Sequence, residues 1–260
     1  MKLSIIIPVY NSSATLEELC ERIFNSVKKL GLINDFEIIM INDCSKDDSW
    51  LIIKKLSSKL SYLKGINLRK NFGQHNAIMA GLNNCEGEYV ITMDDDLQHP
   101  PEFFFNILEK LKEFDVCYTY YKNRKHVKWK KIVSKINNIV SSFLLNKQLN
   151  IYMSSYRGIK RDVVKKIIIN EDANVYLDSF IIKTTKNIGM ITVDHFARKK
   201  GESNYTLNKL LILWSNMVLN FSFYPLRIAS LLGSVLKIIV KILRIGNSNK
   251  VQFEIIEKTF

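Results

Sequence analysis

Three consecutive carboxylates, Asp94, Asp95 and Asp96, are the residues of this chain best suited to chemistry. They follow the apolar run 89–93, whose length and composition predict a buried strand of a parallel sheet. Open α/β sheets bind ligands at the edge where such strands end. Like charges gathered there are costly unless a cation neutralises them, and Mg²⁺ or Mn²⁺ prefers carboxylate and phosphate oxygens. The pattern therefore indicates a metal–diphosphate site, although an Asp-x-Asp taken alone is also compatible with a solvated acidic turn.

The elements that must position these carboxylates follow from the hydrophobic pattern of the first half of the chain. Apolar runs alternate with amphipathic segments there, which predicts β-α-β units and a mainly parallel sheet flanked by helices. A helical stripe runs from Leu16 to Leu30, and Thr15 with Glu18 predicts a capping box at its start. The other predicted helices cover residues 77–82 and 103–111. The predicted strands cover residues 3–9, 36–41, 63–68, 89–93 and 115–120.

The charge of the chain is strongly unbalanced. Its 260 residues carry a formal net charge of +13, which predicts an anionic partner: nucleic acid, a membrane surface or phosphorylated substrates. No helix-turn-helix, zinc or RNP-like signature is present, so we do not expect a nucleic-acid binder. The four cysteines form no C-x-x-C pair and are typical of a reduced, cytosolic protein.

The second half of the chain contains two segments of different character. Residues 122–135 form a basic stretch, which is either a solvated loop or a loop that closes over phosphates. In 228–245 an apolar helix carries Lys237, Lys241 and Arg244 on one stripe, the pattern of a helix lying among lipid headgroups. A core-packing helix pair and a membrane span are the alternatives. We expect a catalytic domain in 1–205, membrane-interface helices in 206–246 and a tail in 247–260.

Polar groups from other predicted strands converge on the edge that holds the acidic run. Asp43 follows the second strand, the segment 69–74 follows the third, and the segment 8–11 closes the first. Because parallel strands end at one edge of a sheet, these side chains should meet, and such convergence is what a site requires.

These segments together resemble family 2 glycosyltransferases of the GT-A fold. The resemblance is to the branch that acts on polyprenyl phosphates, including dolichyl-phosphate mannose synthase-like, GtrB-like and undecaprenyl-phosphate aminoarabinose transferase-like enzymes. It implies an α/β, Rossmann-like, mixed and mainly parallel sheet with C-terminal amphipathic interface helices. The matching segments are IIIPVYN (5–11), INDCSKD (41–47), LRKNFGQHNAIMAGL (68–82), GEYVITMDDDLQHPPE (87–102), YRGIKRDVV (156–164), RKKGESNY (198–205) and FSFYPLR (221–227).

The resemblance also implies roles for individual residues. Asp94, Asp96 and Gln98 would hold Mg²⁺ or Mn²⁺, and Asp94 and Asp96 would act in catalysis together with Arg198. The residues implied for donor binding are Pro8, Val9, Tyr10, Asp43, Arg69, Gln74, Asp94 and Asp95. Those implied for acceptor or phosphate binding are Arg124, Arg157, Arg198, Ser203 and Tyr205. The chain departs from the family pattern at Ser12, where an acidic residue is usual, and at 154–158, where G-D-F-R-L becomes S-S-Y-R-G.

The acceptor decides whether a general base is needed. A phosphate monoester is already an anion at neutral pH, whereas a sugar hydroxyl needs a positioned carboxylate. Asp178 is the candidate base, with a helix-surface acid as the alternative, and Asp95 is the second candidate, with donor contact as the alternative. The chain offers no Ser-His-Asp or Cys-His arrangement for a covalent nucleophile, which favours a single inverting displacement.

Our hypothesis is a metal-dependent, inverting hexosyltransferase that moves a sugar from a UDP-linked donor to undecaprenyl phosphate. It would be peripheral or monotopic on the cytoplasmic side of the cell membrane, bound to an anionic surface and associated with a membrane subunit or further copies of itself. A transferase acting on a glycan hydroxyl and a catalytically silent scaffold are the alternatives.

Overall fold

A single mixed sheet forms the centre of the molecule. The computed structural model describes residues 2–121, 151–170, 175–193 and 255–260. In these ranges eight strands pair in the order β7-β5-β6-β4-β1-β2-β3-β8. The strands are β1 (Leu3–Val9), β2 (Phe36–Asn42), β3 (Leu63–Leu68), β4 (Tyr89–Thr92), β5 (Val116–Tyr121), β6 (Arg157–Lys160), β7 (Ile188–Val193) and β8 (Ile255–Lys258).

The central strands are parallel and enclosed by helices, as the sequence predicts. β1 pairs in parallel with β2 and β4, and every residue of β1 and β2 is buried. Their side chains alternate between two apolar layers, so that Ile5 packs in one layer and Ile6 in the other. A strand that is buried on both faces is mostly apolar, which is why β1 and β2 can be predicted from the sequence. The helices are α1 (Leu16–Lys29), α2 (Ser49–Ser57), α3 (Gln74–Asn84), α4 (Phe104–Glu113), α5 (Arg161–Ile167) and α6 (Leu177–Thr184), with a 3-10 turn at Pro101–Phe103.

The start of α1 differs from the prediction. Thr15 precedes the helix but makes no side-chain capping bond, so the predicted capping box with Glu18 is wrong. The Thr15 hydroxyl instead donates to the carbonyl oxygen of Asp95 at 2.8 Å. The residue that the pattern assigned to helix stability therefore supports the acidic turn.

Two strands of the sheet run antiparallel to their neighbours. β6 lies between β4 and β5 and runs against both, and β8 runs against β3. β7 pairs in parallel with β5. As a result, the carboxyl ends of β1 to β5 and of β7 share one edge with the amino end of β6. The residues just before β6 therefore meet the residues that follow β4.

The C-terminal segment contributes a strand to the sheet. Residues 255–258 fall in the predicted tail, yet they form β8 on the outer side of β3. The predicted interface helices in 206–246 and the basic stretch 122–135 lie outside the described residues. Among the residues that the structure does describe, no helix has the length and apolar character needed to cross a membrane.

Candidate active site

The acidic run forms a tight turn directly after β4. The backbone of Leu97 adopts a left-handed conformation with φ 64°, and its side chain is buried at 2% exposure. A carboxylate oxygen of Asp96 accepts a hydrogen bond from the backbone N–H of Gln98 at 3.1 Å. The turn is thus fixed both by a buried side chain and by a bond within itself, and it leaves the three carboxylates only partly buried.

Asp94 is held by neutral donors from two other segments. The Gln74 amide at the start of α3 donates to Oδ1 at 2.6 Å, and the Ser155 hydroxyl before β6 donates to Oδ2 at 2.8 Å. The backbone N–H of Asp94 donates to Nδ1 of His99 at 2.9 Å. None of these partners is a lysine or arginine, so among the described residues no such cation occupies the Asp94 carboxylate.

Asp95 contacts a different part of the chain from Asp94. Its Oδ2 accepts the backbone N–H of Tyr10 at 3.1 Å, which ties the turn to the end of β1. Burial raises the pKa of Asp95 to about 7, and hydrogen bonds from Ser12 and Tyr10 offset only part of this rise. The middle carboxylate therefore gains a proton far more readily than an exposed aspartate does.

Asp43 at the end of β2 organises the loop that leads into α3. Its carboxylate accepts the backbone N–H groups of Phe72 at 2.7 Å and of Gly73 at 2.9 Å. Gly73 has φ 89°, a conformation that suits glycine and turns the chain into the helix. Burial raises the pKa of Asp43, while these two bonds favour the charged form. Asp43 thus sets the position of Gln74, which in turn bonds Asp94.

The other predicted donor residues lie along the same edge. Pro8 and Val9 are buried in β1, so neither presents its side chain at this edge. Tyr10 is partly buried, and Arg69 is exposed just after β3. The edge therefore combines the predicted groups from β1, β2, β3 and β4, which stay candidates for binding the donor.

Arg157 and Asp178 form a buried ion pair, which does not fit their predicted roles. Their exposures are 1% and 6%, and Nη1 of Arg157 contacts Oδ1 of Asp178. The same Oδ1 accepts the Tyr118 hydroxyl at 2.7 Å, and Nε of Arg157 donates to Thr92 at 3.3 Å. Arg157 is therefore engaged in the core and not open to an acceptor phosphate. Asp178 is neither a helix-surface acid nor an open base, because its carboxylate neutralises this guanidinium.

His75 lies near this pair at the start of α3. Its ring meets the Tyr176 ring edge-on at 5.2 Å, and among the described residues its enclosed Nδ1 has no hydrogen-bond partner. Burial lowers the pKa of His75 to about 4. The negative charge of Asp178 raises this pKa and the positive charge of Arg157 lowers it, but both effects are smaller than that of burial. His75 is therefore neutral at physiological pH.

Four predicted phosphate-binding residues cannot be placed. They lie outside the described ranges and stay predictions: Arg124, Arg198, Ser203 and Tyr205.

Three residues of the site were not predicted from the sequence: Ser155, His99 and Thr15. His99 lies within the acidic motif, and Ser155 within a segment that departs from the family pattern, so both positions carried a signal. Their contacts depend on the pairing of β6 with β4, which the hydrophobic pattern of the sequence does not predict.

The donor set of the turn fits a hard divalent cation. Asp94, Asp96 and Gln98 offer carboxylate and amide oxygens, the ligands that Mg²⁺ and Mn²⁺ prefer. In the described ranges no group of three or more His, Cys, Asp or Glu side chains is arranged to hold a metal. The turn therefore offers an incomplete shell, and the oxygens of a diphosphate are suited to complete it.

Comparison with solved structures shows which proteins share this fold. Glucosyl-3-phosphoglycerate synthase from Mycobacterium tuberculosis, solved with Mn²⁺, UDP and glucosyl-3-phosphoglycerate, superimposes with a TM-score of 0.59 at 16% identity, covering 84% of this chain and 77% of that one. S. aureus TarS 1–349, solved with UDP-GlcNAc, gives 0.56 at 22% identity, covering 85% and 67%. These similarities concern the fold, and they confirm the expected GT-A architecture.

Sequence comparison gives a closer relationship. Undecaprenyl-phosphate 4-deoxy-4-formamido-L-arabinose transferases of Salmonella paratyphi B and Salmonella typhimurium are 34% identical over 239 residues, covering 91% of this chain and 72% of theirs. The sequence model described as Glycosyl transferase family 2 matches residues 4–168, which include β1 to β6, the acidic turn and Asp43. The chain belongs to glycosyl transferase family 2.

Proposed function

We propose that this protein is an inverting transferase that moves a sugar from a UDP-linked donor to undecaprenyl phosphate at the cytoplasmic face of the cell membrane. The observation that carries the proposal is the acidic turn at the sheet edge, where neutral donors hold Asp94 in place. The acceptor follows from the relatives, whose names state that they act on undecaprenyl phosphate and which match 91% of this chain. The choice of UDP is supported by solved structures of the same fold that contain UDP or UDP-GlcNAc.

The chemistry requires a group that stabilises the leaving diphosphate. Negative charge builds on the diphosphate as the bond from the sugar breaks. A bound Mg²⁺ or Mn²⁺ would neutralise that charge, and Asp94, Asp96 and Gln98 are the residues that would hold it. Gln74 and Ser155 orient the Asp94 carboxylate before the donor arrives, so little reorganisation is needed at the moment of reaction.

The state of Asp178 supports a phosphate acceptor. The Asp178 carboxylate is buried, paired with Arg157 and bonded to the Tyr118 hydroxyl, so it is not open to an acceptor and is badly placed to act as a general base. A phosphate monoester needs no base, because it is already anionic at neutral pH. The acceptor would then meet the basic residues predicted around Arg198, with the interface helices predicted in 206–246 resting on an anionic membrane.

A hydroxyl acceptor is the second candidate function, and one observation favours it. Burial raises the pKa of Asp95 to about 7, which is near the value that suits a general base at neutral pH. This function would require the hydroxyl to reach a carboxylate that is bonded to the backbone of Tyr10.

Transfer from labelled nucleotide-sugars tests the proposal. The full chain is incubated with Mn²⁺, a panel of UDP-sugars and undecaprenyl phosphate in lipid bilayers, and organic-extractable label is counted. We expect labelled lipid with at least one donor, its loss in Asp96→Ala and its retention in Asp162→Ala. Asp162 is a matched control because it is exposed and follows β6, at the edge opposite the site. No labelled lipid with any donor would contradict the proposal, and equal transfer to a soluble saccharide without lipid would favour the second function.

A further inference from the structure

His99 contacts Asp94 at both its backbone and its carboxylate. Nδ1 of His99 accepts the backbone N–H of Asp94 at 2.9 Å, and Nε2 lies 3.6 Å from Oδ2 of Asp94. Because Nδ1 accepts a hydrogen bond, a neutral ring carries its proton on Nε2, the atom that faces the carboxylate. The imidazole of His99 therefore contacts both the main chain and the side chain of Asp94.

The ring of His99 is itself fixed by a second part of the chain. It is 5% exposed and stacks on the Tyr156 ring, with centroids 5.0 Å apart and planes at 14°. The Tyr156 hydroxyl donates to the carbonyl oxygen of Pro100 at 2.7 Å, and the ring packs edge-on against Phe104. The orientation of the imidazole is thus set by fully buried Tyr156, next to β6, and by the residues that follow the turn.

We propose that His99 is a positioning residue that holds Asp94 in the orientation in which it binds a divalent cation together with a nucleoside diphosphate. This inference rests on the proposed function, because it assigns the cation and the diphosphate to the acidic turn. Gln74 and Ser155 restrain only the two carboxylate oxygens, whereas His99 also restrains the main chain at the root of the side chain. Groups that orient a metal ligand in this way typically change metal affinity about 10- to 100-fold when they are replaced.

Two substitutions separate the hydrogen bond from simple packing. His99→Phe keeps a ring that can stack on Tyr156 but removes both nitrogens. His99→Asn loses the stack but places an amide oxygen where Nδ1 accepts the Asp94 N–H. The binding of Mn²⁺ in the presence of UDP is measured on the full chain by the electron paramagnetic resonance signal of free Mn²⁺. The affinity for uridine alone reports on the nucleobase region and serves as the internal control.

We expect His99→Phe to weaken Mn²⁺ binding about 10- to 100-fold and His99→Asn to restore it to within tenfold of the unchanged chain. Uridine affinity should stay the same in both variants. Unchanged Mn²⁺ affinity in a folded His99→Phe variant, or equal losses in the two variants, would overturn the role of His99. If His99→Phe does not fold, Tyr156→Phe, which releases the tether to Pro100 but keeps the stack, should still weaken Mn²⁺ binding, and no effect would overturn it. Absence of Mn²⁺ and UDP binding in the unchanged chain would instead overturn the donor site itself.

Discussion

Carboxylates of the same type acquire different properties along one sheet edge. Asp94 is held by an amide and a hydroxyl, Asp95 is partly buried and protonates readily, and Asp43 holds a loop. The sequence predicts that these residues meet, because each follows a strand. It does not predict the pairing of Arg157 with Asp178, which lie 21 positions apart and meet only in the folded chain. The apolar neighbours Leu177, Phe180 and Ile181 were the available signal that Asp178 would be buried.

A negative charge at Ser155 should disturb Asp94 electrostatically. Ser155→Asp replaces the hydroxyl donor with a second carboxylate next to Oδ2 of Asp94, so the lost hydrogen bond is joined by repulsion between like charges. We expect Ser155→Asp to lower the transfer rate about tenfold more than Ser155→Ala, which only removes the donor. Equal rates in the two variants, measured with a fixed lipid acceptor, would show that the charge next to Asp94 does not matter.

Removing Asp178 should cost stability. Asp178→Ala leaves the buried Arg157 guanidinium without its counter-charge, and breaking a buried pair in this way typically costs about 3–5 kcal/mol. The double variant Arg157→Met, Asp178→Leu should recover most of that loss, because neither charge is then stranded. Urea unfolding gives the free energies, with Asp162→Ala as the exposed control. A loss below about 1 kcal/mol in Asp178→Ala would argue against a buried pair.

The pKa of His75 predicts a pH-dependent stability. The unfolded imidazole gains a proton near its ordinary pKa of 6.5, but the folded one does so only near 4. Between these values the unfolded state binds more protons, so stability is complete above pH 6.5 and falls as the pH decreases towards 4. We expect His75→Leu to lose less stability between pH 7 and pH 4.5 than the unchanged chain, by about 2 kcal/mol. If urea unfolding shows the same loss of stability between these pH values in both proteins, the prediction is wrong.

At the scale of elements, the sequence predicts the central strands well. The predicted ends of β1 to β5 agree with the structure to within one residue, although β3 includes the partly buried Lys64 and Asn67. β6 and β8 have four residues each and include charged side chains, so they owe their strand conformation to the neighbours that they pair with. Tertiary pairing of this kind leaves no periodic signal in a short segment.

Close packing of α4 on β6 can be tested at Gly158. A Cβ atom at Gly158 would lie 2.3 Å from Cγ2 of Ile107 and 2.8 Å from Cδ1 of Leu111, so the helix would have to shift. We expect Gly158→Ala to destabilise the protein by about 1–3 kcal/mol. Adding Ile107→Ala should cost less in this background than in the unchanged chain, and thermal unfolding of the four proteins in this cycle measures the coupling. Strictly additive effects would show that the helix and strand are not in close contact.

The whole molecule is dominated by its positive charge. A net charge of +13 on 260 residues, with a pI near 9.5, favours association with anionic surfaces. The described part of the chain includes the sheet and the edge that carries the acidic turn. The basic stretch 122–135 and the basic stripe of 228–245 lie outside the described residues. The charge pattern and the fold are therefore complementary sources of prediction: one concerns where the protein binds, the other what it does there.

Binding to vesicles should depend on charge and salt. We expect the full chain to sediment with vesicles that contain about one-third phosphatidylglycerol, and to be released as NaCl rises from 50 mM to about 500 mM, because screening weakens exposed charge pairs. Lys237→Glu with Lys241→Glu should reduce binding at low salt, with Lys59→Glu with Lys28→Glu as a control of equal charge change on exposed helix ends. Equal binding to neutral vesicles would show that apolar contact, not charge, holds the protein.

The left-handed backbone of Leu97 links catalysis to the interior of the protein. A non-glycine residue held in that conformation stores strain, and here the buried Leu97 side chain, packed in the layer that also includes Leu16 and Phe104, offsets it. Mutational drift in that layer can therefore alter the geometry of the acidic turn without replacing any of its carboxylates. Weakened activity in distant relatives or engineered variants of this protein could originate beneath the turn, in hydrophobic positions that a search confined to polar residues would overlook.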